Sequence, residues 1–341
     1  MKYDVTIGMP IYKSRPYIER AMLSALDQTY PSIEFLLVDD AGDDGSIDVI
    51  LQLKSQHPRG KDIRVISHDK NQGVSFSRNE IIENAQGTYL FFMDSDDEIR
   101  DNTIDLLMSQ ATKYEADFVI GSYEKIDLGG KRIQYRYPKL QLLQKDQLAS
   151  YAYRKYGGIQ ASACNYLVKI ALLRSHKHFF VNANYWEDFV FTFDLVTLID
   201  RAVLLPDITY SYICRENSLS HYQQRDKILK DEIAKNVQTI EQLKKTSSLL
   251  YNKTYYPNRC YNIVMTDFYI ACNILRRRND IRPFIYNKDI KNIMRHPATW
   301  CQICHFNNSR FKNMLFFLLG KMPSSMCVLI IWGLGKIKKL V

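Results

Sequence analysis

The sequence predicts an α/β fold built on a mostly parallel sheet with helices on both faces. Three observations predict it. Short runs rich in Val, Ile, Leu and Phe alternate with helix-like segments through the first half. The runs are continuously apolar, which marks strands buried on both sides. Several end in Pro, Asp or Asn, where parallel sheets open a ligand crevice.

In chain order, YDVTIGM ends at Pro10, IEFLLV at Asp39 and Asp40, IRVISH at Asp69, and TYLFFM at Asp94; ADFVIGSY follows. Helical patterns lie near 16–28, 46–56, 75–86 and 102–114. After about 127 the pattern changes. GGKRIQYRYP reads as an irregular strand or hairpin arm, YWEDFVFTFDLVTLID as a helix with an apolar stripe, and AVLLPDITYSYIC as a strand. From about 223 the chain reads as helical, with Pro257, Pro283, Pro297 and Pro323 as breaks. The expected division is 1–221 and 222–341, the second ending in a basic tail from about 309.

A chain of 341 residues exceeds one average domain, so a large core with an appendage is expected. The 39 Phe and Tyr residues are enough to fill an aromatic core. The opening MKYDVTIGMP lacks the apolar core of a signal peptide. Seven scattered cysteines suit reduced thiols, and the two features together predict a cytoplasmic protein.

Chemistry concentrates at the strand ends. MDSDDEI, from Met93 to Ile99, packs four carboxylates behind an apolar strand. Carboxylates this close raise one another's pKa unless a cation sits among them. An all-oxygen cluster suits Mg²⁺ or Mn²⁺, and of Asp94 and Asp96 one can face the metal while the other bonds a ligand hydroxyl. From spacing alone, a solvated acidic turn in which Asp97 or Glu98 starts a helix explains the stretch equally well. VDDAGDDGSID sets Asp39 and Asp40 before a turn and Ser46 at a helix start. There a carboxylate can accept from a base N–H, or simply shape the turn. In NQGVSFSRN, Asn71 precedes a permissive Gly73, and Arg78 lies on the first helical turns. Arg78 can clamp an anion or pair with neighbouring carboxylates.

Together these segments resemble the family 2 glycosyltransferases, whose catalytic domain has the GT-A nucleotide-diphospho-sugar transferase fold. The matching elements are IGMPIYKSRPYIERAMLSALDQTY, EFLLVDDAGDDGSID, NQGVSFSRNEII, GTYLFFMDSDDEI and Glu187-Asp188 in NYWEDFVF. They span roughly residues 3–215. DDAGDDGS is one residue longer and more acidic than the family's usual run.

The resemblance implies Pro10 and Tyr12 at a nucleotide base, and Asp39, with Asp40 as second choice, at the uracil edge. It implies Asp94 at ribose or sugar, Asp96 on a divalent metal (Mn²⁺ or Mg²⁺), and Asp188 as general base beside Glu187. YSYICRENSLSHY resembles the end of the family's catalytic domain, which brings Arg215 and Ser218 toward the diphosphate and offers His221 as a further metal ligand. The implied activity is inverting transfer of a sugar, with a UDP-sugar as expected donor, to a hydroxyl of a glycan or lipid-linked glycan. One base and no second nucleophile fit direct displacement.

The net charge of +9 belongs to the C-terminal region. From Ile290 to Val341 there are eight Lys or Arg and no acid, which leaves +1 for the first 289 residues. Apolar blocks flanked by lysines, with Trp332 among them, predict a peripheral helix on an anionic membrane surface, on the inner face of the cell membrane. Nucleic acid is not expected, because mainly apolar blocks rather than polar or stacking groups separate the charges. Cys301-Gln302-Ile303-Cys304-His305 matches a haem attachment pattern, but with no export signal a helix face is expected, and a zinc site with His296 is the lesser option. The competing functional classes are a non-catalytic sugar-nucleotide-binding protein, a phosphorelay receiver-like domain with Asp94 as phosphoacceptor, and a phosphatase using the Asp-x-Asp pair.

Overall fold

The computed structural model describes residues 2–183, 186–215 and 228–341. The chain forms two compact units, Met1–Leu148 with Ala161–Ser218, and Ala149–Gln160 with Leu219–Val341.

The first unit begins with strands β1 (Tyr3–Ile11), β2 (Ile33–Asp39), β3 (Ile63–Ser67) and β4 (Gly87–Phe92). Helices α1 (Ile18–Leu26), α2 (Ser46–Gln56) and α3 (Val74–Asn84) connect them. All these segments were expected, within about two residues at each end. The four strands pair in parallel in the order β3-β2-β1-β4. The chain leaves β1 toward β2 and β3, then returns to β4 on β1's other side. That reversal opens a crevice beyond the carboxyl ends of β1 and β4.

Beyond β4 the sheet is mixed. A two-residue strand β5 (Glu98–Ile99) and helix α4 (Thr103–Tyr114) lead to β6 (Phe118–Ile126). β7 (Arg132–Tyr135) folds back on β6 as the expected hairpin arm, and β8 (Leu140–Leu142) follows. After α5 (Gln147–Tyr153), strand β9 (Tyr166–Lys169) inserts antiparallel between β4 and β6. Helices α6 (Ile170–Ser175) and α7 (Glu187–Leu195) then precede β10 (Ala202–Ile213). β10 runs parallel to β6 and antiparallel to β5 and β8. The periodicity gives no warning of β9. YLVK is too short to declare itself, and its apolar residues suit either kind of buried segment.

The core fills this sheet. Val5, Ile7, Met9, Leu36, Val38, Leu90, Phe91, Phe118, Ile120, Leu167 and Val168 are all buried. Thr6 Oγ1 donates to Glu34 at 2.6 Å and accepts from Gly87 N at 2.9 Å, fastening β4 beside β1.

The second unit is largely helical: α8 (Lys230–Ser247), α9 (Tyr256–Arg276), α10 (Asn287–Ile293), α11 (Trp300–Cys304), α12 (Arg310–Lys321) and α13 (Ser324–Ile337). The short strands β11 (Ile228–Leu229) and β12 (Ile281–Arg282) pair within it. Its centre is α9, on which α8, α10, α12 and α13 pack. Arg259 on α9 is fully buried and donates to Ser247 at 2.9 Å and to the Tyr153 hydroxyl at 2.6 Å. Lys244 meets Asp267 at 2.8 Å. Tyr153 and Asn262 help bring residues 149–160 into this unit, since the Asn262 amide donates to Tyr153 O at 3.1 Å.

Two expectations for this region resolve simply. The prolines stand at element boundaries: Pro257 in the first turn of α9, Pro283 after β12, Pro297 before α11, and Pro323 between α12 and α13. Cys301 and Cys304 lie on α11, capped by Thr299, which accepts from Gln302 N. His296 spends its Nε2 on Asn313 at 2.9 Å and its Nδ1 on the Ala298 segment, so its nitrogens are engaged. Burial pushes its pKa down to about 4. Among the described residues no group of three His, Cys, Asp or Glu is arranged to hold a metal ion.

Gly87 tests the packing of β4. A Cβ there would lie 2.5 Å from Thr6 N and 2.7 Å from Val5 C, atoms of the neighbouring backbone. Gly87→Ala should cost at least about 2 kcal/mol in urea unfolding. A stability within a few tenths of the parent would mean β1 and β4 are not held this closely.

Candidate active site

The site lies at the carboxyl ends of β1, β2 and β4, closed on one side by the start of α7. β1 carries Pro10 opposite Val38 and Ile11 opposite Asp39, so the ends of the two strands are level. Tyr12 follows β1 with 43% of its surface exposed, and the Lys13 ammonium lies 5.3 Å from its ring centre.

Ser14 ties three segments together. Its N–H donates to Ser46 Oγ at 3.0 Å, and its hydroxyl lies 2.5 Å from that of Ser95. Ser46 opens α2 and donates to Asp44 at 2.6 Å. The loop after β1 is thus bonded to both acidic loops.

Asp39 and Asp40 separate cleanly. Asp40 is buried, and its carboxylate accepts from His68 Nδ1 at 2.7 Å, Asn71 Nδ2 at 2.8 Å, Gln72 N at 2.7 Å and Gly73 N at 2.8 Å. It shapes the loop that leads into α3, with Asn71 as one of its partners. Burial works against a charged His68 ring, but Asp40 and Glu80 outweigh it and raise the imidazole pKa. Asp39 is half-buried and accepts a long contact from Gly42 N, 3.4 Å, with Ala41 N as a further backbone donor. Burial lifts its carboxyl above the usual range. Of the two, Asp39 keeps oxygen available to a ligand.

Arg78 is the hub. It rises from the second turn of α3 and is almost wholly buried. One guanidinium nitrogen meets Asp94 at 3.0 Å, past the end of β4. The other meets Glu187 at 3.3 Å and, more tightly, Asp188, both in the first turn of α7. Phe180 lies beneath, its ring centre 5.3 Å from the guanidinium, and is itself stacked on Phe191 at 3.8 Å. Of the two roles open to Arg78, pairing with carboxylates is the one observed.

Three carboxylates around one guanidinium leave negative charge in excess. Burial pushes the Asp188 carboxyl up to about 8; Arg78 opposes this, and Glu187 and Asp94 add to it. Burial raises Glu187 as well, with Arg78 again opposing.

The acidic loop divides by role. Asp96 forms an ion pair with Arg215, whose guanidinium stacks 5.1 Å from the Tyr17 ring. Burial and the Asp94 charge still lift the Asp96 carboxyl. Asp97 is buried and accepts from the Tyr210 hydroxyl and from Ile213 N, both at 2.8 Å. Burial, then Asp94, raises its pKa strongly. The expectation that Asp97 and Glu98 begin a helix is corrected. Asp97 pins β10, Glu98 lies in β5 and pairs with Arg20, and the next helix starts only at Thr103. β10's demand for antiparallel partners claimed these residues first.

His221 and Ser218 lie outside the described residues. Asp94 and Asp96 remain as adjacent oxygen donors. Two carboxylates and surplus negative charge fit a hard divalent cation that takes its other ligands from phosphate and water.

Sequence reasoning missed Tyr210 and Phe180. The Tyr210 hydroxyl accepts from Asp94 N at 3.1 Å while donating to Asp97, so it fixes the loop's path. Both are aromatic residues in apolar contexts and carry no local signal of such a role.

Comparison with known proteins finds relatives in sequence and in fold. The family model described as Glycosyl transferase family 2 matches residues 6–170. An uncharacterized glycosyltransferase of Haemophilus influenzae is 32% identical over 130 residues, 38% of this chain and 51% of that protein. TuaG of Bacillus subtilis, named for teichuronic acid biosynthesis, is 39% identical over 94 residues, 28% of this chain and 36% of that protein. The chain therefore spans about half the length of these relatives or less. The S. aureus TarS 1-349 structure in complex with UDP-GlcNAc superposes with a TM-score of 0.54 at 16% identity, covering 93% of this chain and 90% of that one. At that identity the likeness is one of fold, the GT-A fold with helices at the C-terminus. Residues 6–170, just under half of the chain, match the glycosyl transferase family 2 domain.

Proposed function

We propose that the protein transfers a sugar, with inversion, from a nucleoside-diphospho-sugar to a hydroxyl of a glycan or lipid-linked glycan, with Asp188 as general base. One observation carries this reading. The Asp188 carboxylate, a quarter exposed, is held against the buried Arg78 guanidinium that also meets Asp94 past the end of β4, and burial raises its pKa. A base works best with a pKa near the working pH.

The proposed step is a single displacement. The acceptor oxygen attacks the anomeric carbon as its proton passes to a carboxylate oxygen of Asp188. The bond from the anomeric carbon to the diphosphate oxygen breaks, and that oxygen leaves with the electron pair. Glu187, on the same guanidinium, keeps Asp188 basic by its charge.

Tyr12 offers an exposed ring for a base to stack on, and Asp39 a half-open carboxylate for a base N–H. The UDP and UDP-GlcNAc bound by TarS support a UDP-sugar as donor here. Asp94 and Asp96 would hold a divalent cation, Mg²⁺ or Mn²⁺, which supplies charge neutralisation for the departing diphosphate. Arg215, paired with Asp96, is a protein cation able to turn toward a phosphate. The receiver-like alternative gains no support, because Asp94 is held by Arg78 and the acidic pair follows β2 rather than β1.

Asp188→Asn should lower turnover roughly 10²- to 10⁴-fold, while donor affinity, read by calorimetry with UDP, stays within about twofold. Retained turnover removes Asp188 from the base role, and lost affinity makes it a binding residue.

The active form is the carboxylate, so activity falls as pH falls through the raised pKa. The acid limb of kcat/KM should inflect above the usual carboxyl range. An inflection near 4 would mean that Asp188 is not the titrating base.

Arg78→Ala leaves three carboxylates facing one another and should cost about 3–5 kcal/mol at pH 8. Those carboxyls can protonate in the variant, so its deficit should shrink by pH 5. Melts at the two pH values measure this, and a pH-independent deficit would point to lost packing on Phe180 instead.

A further inference from the structure

The C-terminal helices present an inverted surface. On α13 the face turned to solvent is apolar: Met326, Leu329 and Ile337 are 52%, 66% and 80% exposed, spaced as one helical stripe with Ile330 and Gly333. The opposite face, Cys327, Ile331 and Gly335, is buried in the unit. On α12, Phe311, Leu315 and Leu318 form a second exposed stripe, while Asn313 and Leu319 pack inward. Trp332 and Leu334 flank the α13 stripe, both more than 40% exposed. A contiguous exposed row of this kind marks an interaction site.

The charges around it have one sign. Lys312 and Lys321 border the α12 stripe, Lys336 packs 3.9 Å from the Trp332 ring centre, and Lys338 and Lys339 follow. No acid occurs from residue 290 to 341. Beside the α13 stripe lies a cleft of about 400 Å³, lined by Arg276, Arg278, Asn287, Ser325, Leu329 and Trp332. Arg278 is steadied by Ile285 O at 2.9 Å and by the Phe284 ring. Arg276 is exposed and has no ion-pair partner among the described residues.

We propose that the outer face of α13 docks on an anionic lipid bilayer, with the Arg276–Arg278 cleft receiving a phosphate headgroup beside the apolar stripe. The argument is charge complementarity combined with apolarity. A bilayer of acidic phospholipid offers hydrocarbon and, directly above it, phosphate; Leu329 and Trp332 belong to both the stripe and the cleft. A second copy fits poorly, because the same face would bring the same cations and no acid. The helix lies in the interface rather than across it. Among the described residues no helix is long and apolar enough to span a membrane, and 14 residues of α13 reach about 21 Å against a hydrocarbon core of about 30 Å. This inference is independent of the glycosyl-transfer reading.

The test is flotation of the full chain with phosphatidylcholine vesicles containing or lacking phosphatidylglycerol. The parent should float with the anionic vesicles, and raising salt from 0.1 to 0.5 M should weaken this roughly tenfold. Leu329→Gln with Ile337→Gln, at exposed positions, should reduce the bound fraction about tenfold or more. Arg276→Glu should remove most of the preference for phosphatidylglycerol; it alters no buried residue, so it decides the matter if the double variant fails to fold. Equal flotation with and without vesicles overturns the proposal. So does unchanged binding in either variant, or a soluble dimer that the double variant dissolves without changing flotation. None of these readouts involves turnover, so failure here leaves the transfer reading standing, and the reverse.

Discussion

The first unit's chemistry depends on one buried guanidinium. Arg78 joins three elements far apart in sequence: α3, the loop after β4, and the start of α7. Without it, Asp94, Glu187 and Asp188 would face each other in a pocket that already disfavours charge. Burying an ion group is costly unless partners and hydrogen bonds compensate it. The chain compensates incompletely, with one cation for three anions, and the raised Asp188 and Glu187 carboxyls are the result. A site this short of positive charge is prepared for a ligand that brings some. Under the proposed transfer a diphosphate alone would add more negative charge, and a divalent cation would offset it.

The neighbouring acids work the other way, as structure. Asp40 and Asp97 look identical in sequence to the residues beside them, yet each is filled by hydrogen bonds from its own fold. Asp40 holds the loop into α3, the helix that carries Arg78. Asp97 holds β10, whose Tyr210 in turn positions the Asp94 backbone. Ser14 and Ser95 close the circuit between the loops after β1 and β4. Each acid proposed to meet a ligand thus stands one residue or a few from an acid that builds its support. This is how preorganised sites are held: the reactive group is fixed by neighbours that have spent their own bonding capacity.

That pairing also explains what the sequence could disclose. The parallel half of the sheet was legible, because β1 to β4 are continuous apolar runs with helices between them. The crevice followed from where those runs stop. β9 was not legible, since four apolar residues carry no period of their own. Nor was the division within Asp39-Asp40 or within Asp94–Glu98. Adjacent residues of one type differ only in which way the backbone turns them, and that is settled by distant partners such as Tyr210, Ile213 and His68. Arg78 was singled out with two roles open, because nothing local says whether an arginine's anions belong to protein or ligand. The same limit applies to the tail, where apolar blocks and lysines were plain but not which face of each helix would be buried.

The two units therefore show opposite uses of a mismatch between charge and environment. In the first, anionic side chains are buried against too little positive charge, and the surplus is confined by α3, α7 and the β4 loop. In the second, apolar side chains are left in water among lysines, although Cys327 and Ile331 show that α13 has a buried face of its own. Neither arrangement maximises the stability of the isolated chain. Carboxyls pushed toward neutral pH weaken the fold as pH rises through their pKa values, and an exposed stripe of Leu, Ile and Trp forgoes burial worth about 25 cal/mol per Å². Both departures are local, and each is backed by a well-satisfied support: hydrogen-bonded acids behind Arg78, and the buried Arg259 and Lys244 networks around α9. Strain of this kind persists where the surrounding structure over-determines it, which makes the unsatisfied surfaces the places to look for ligands.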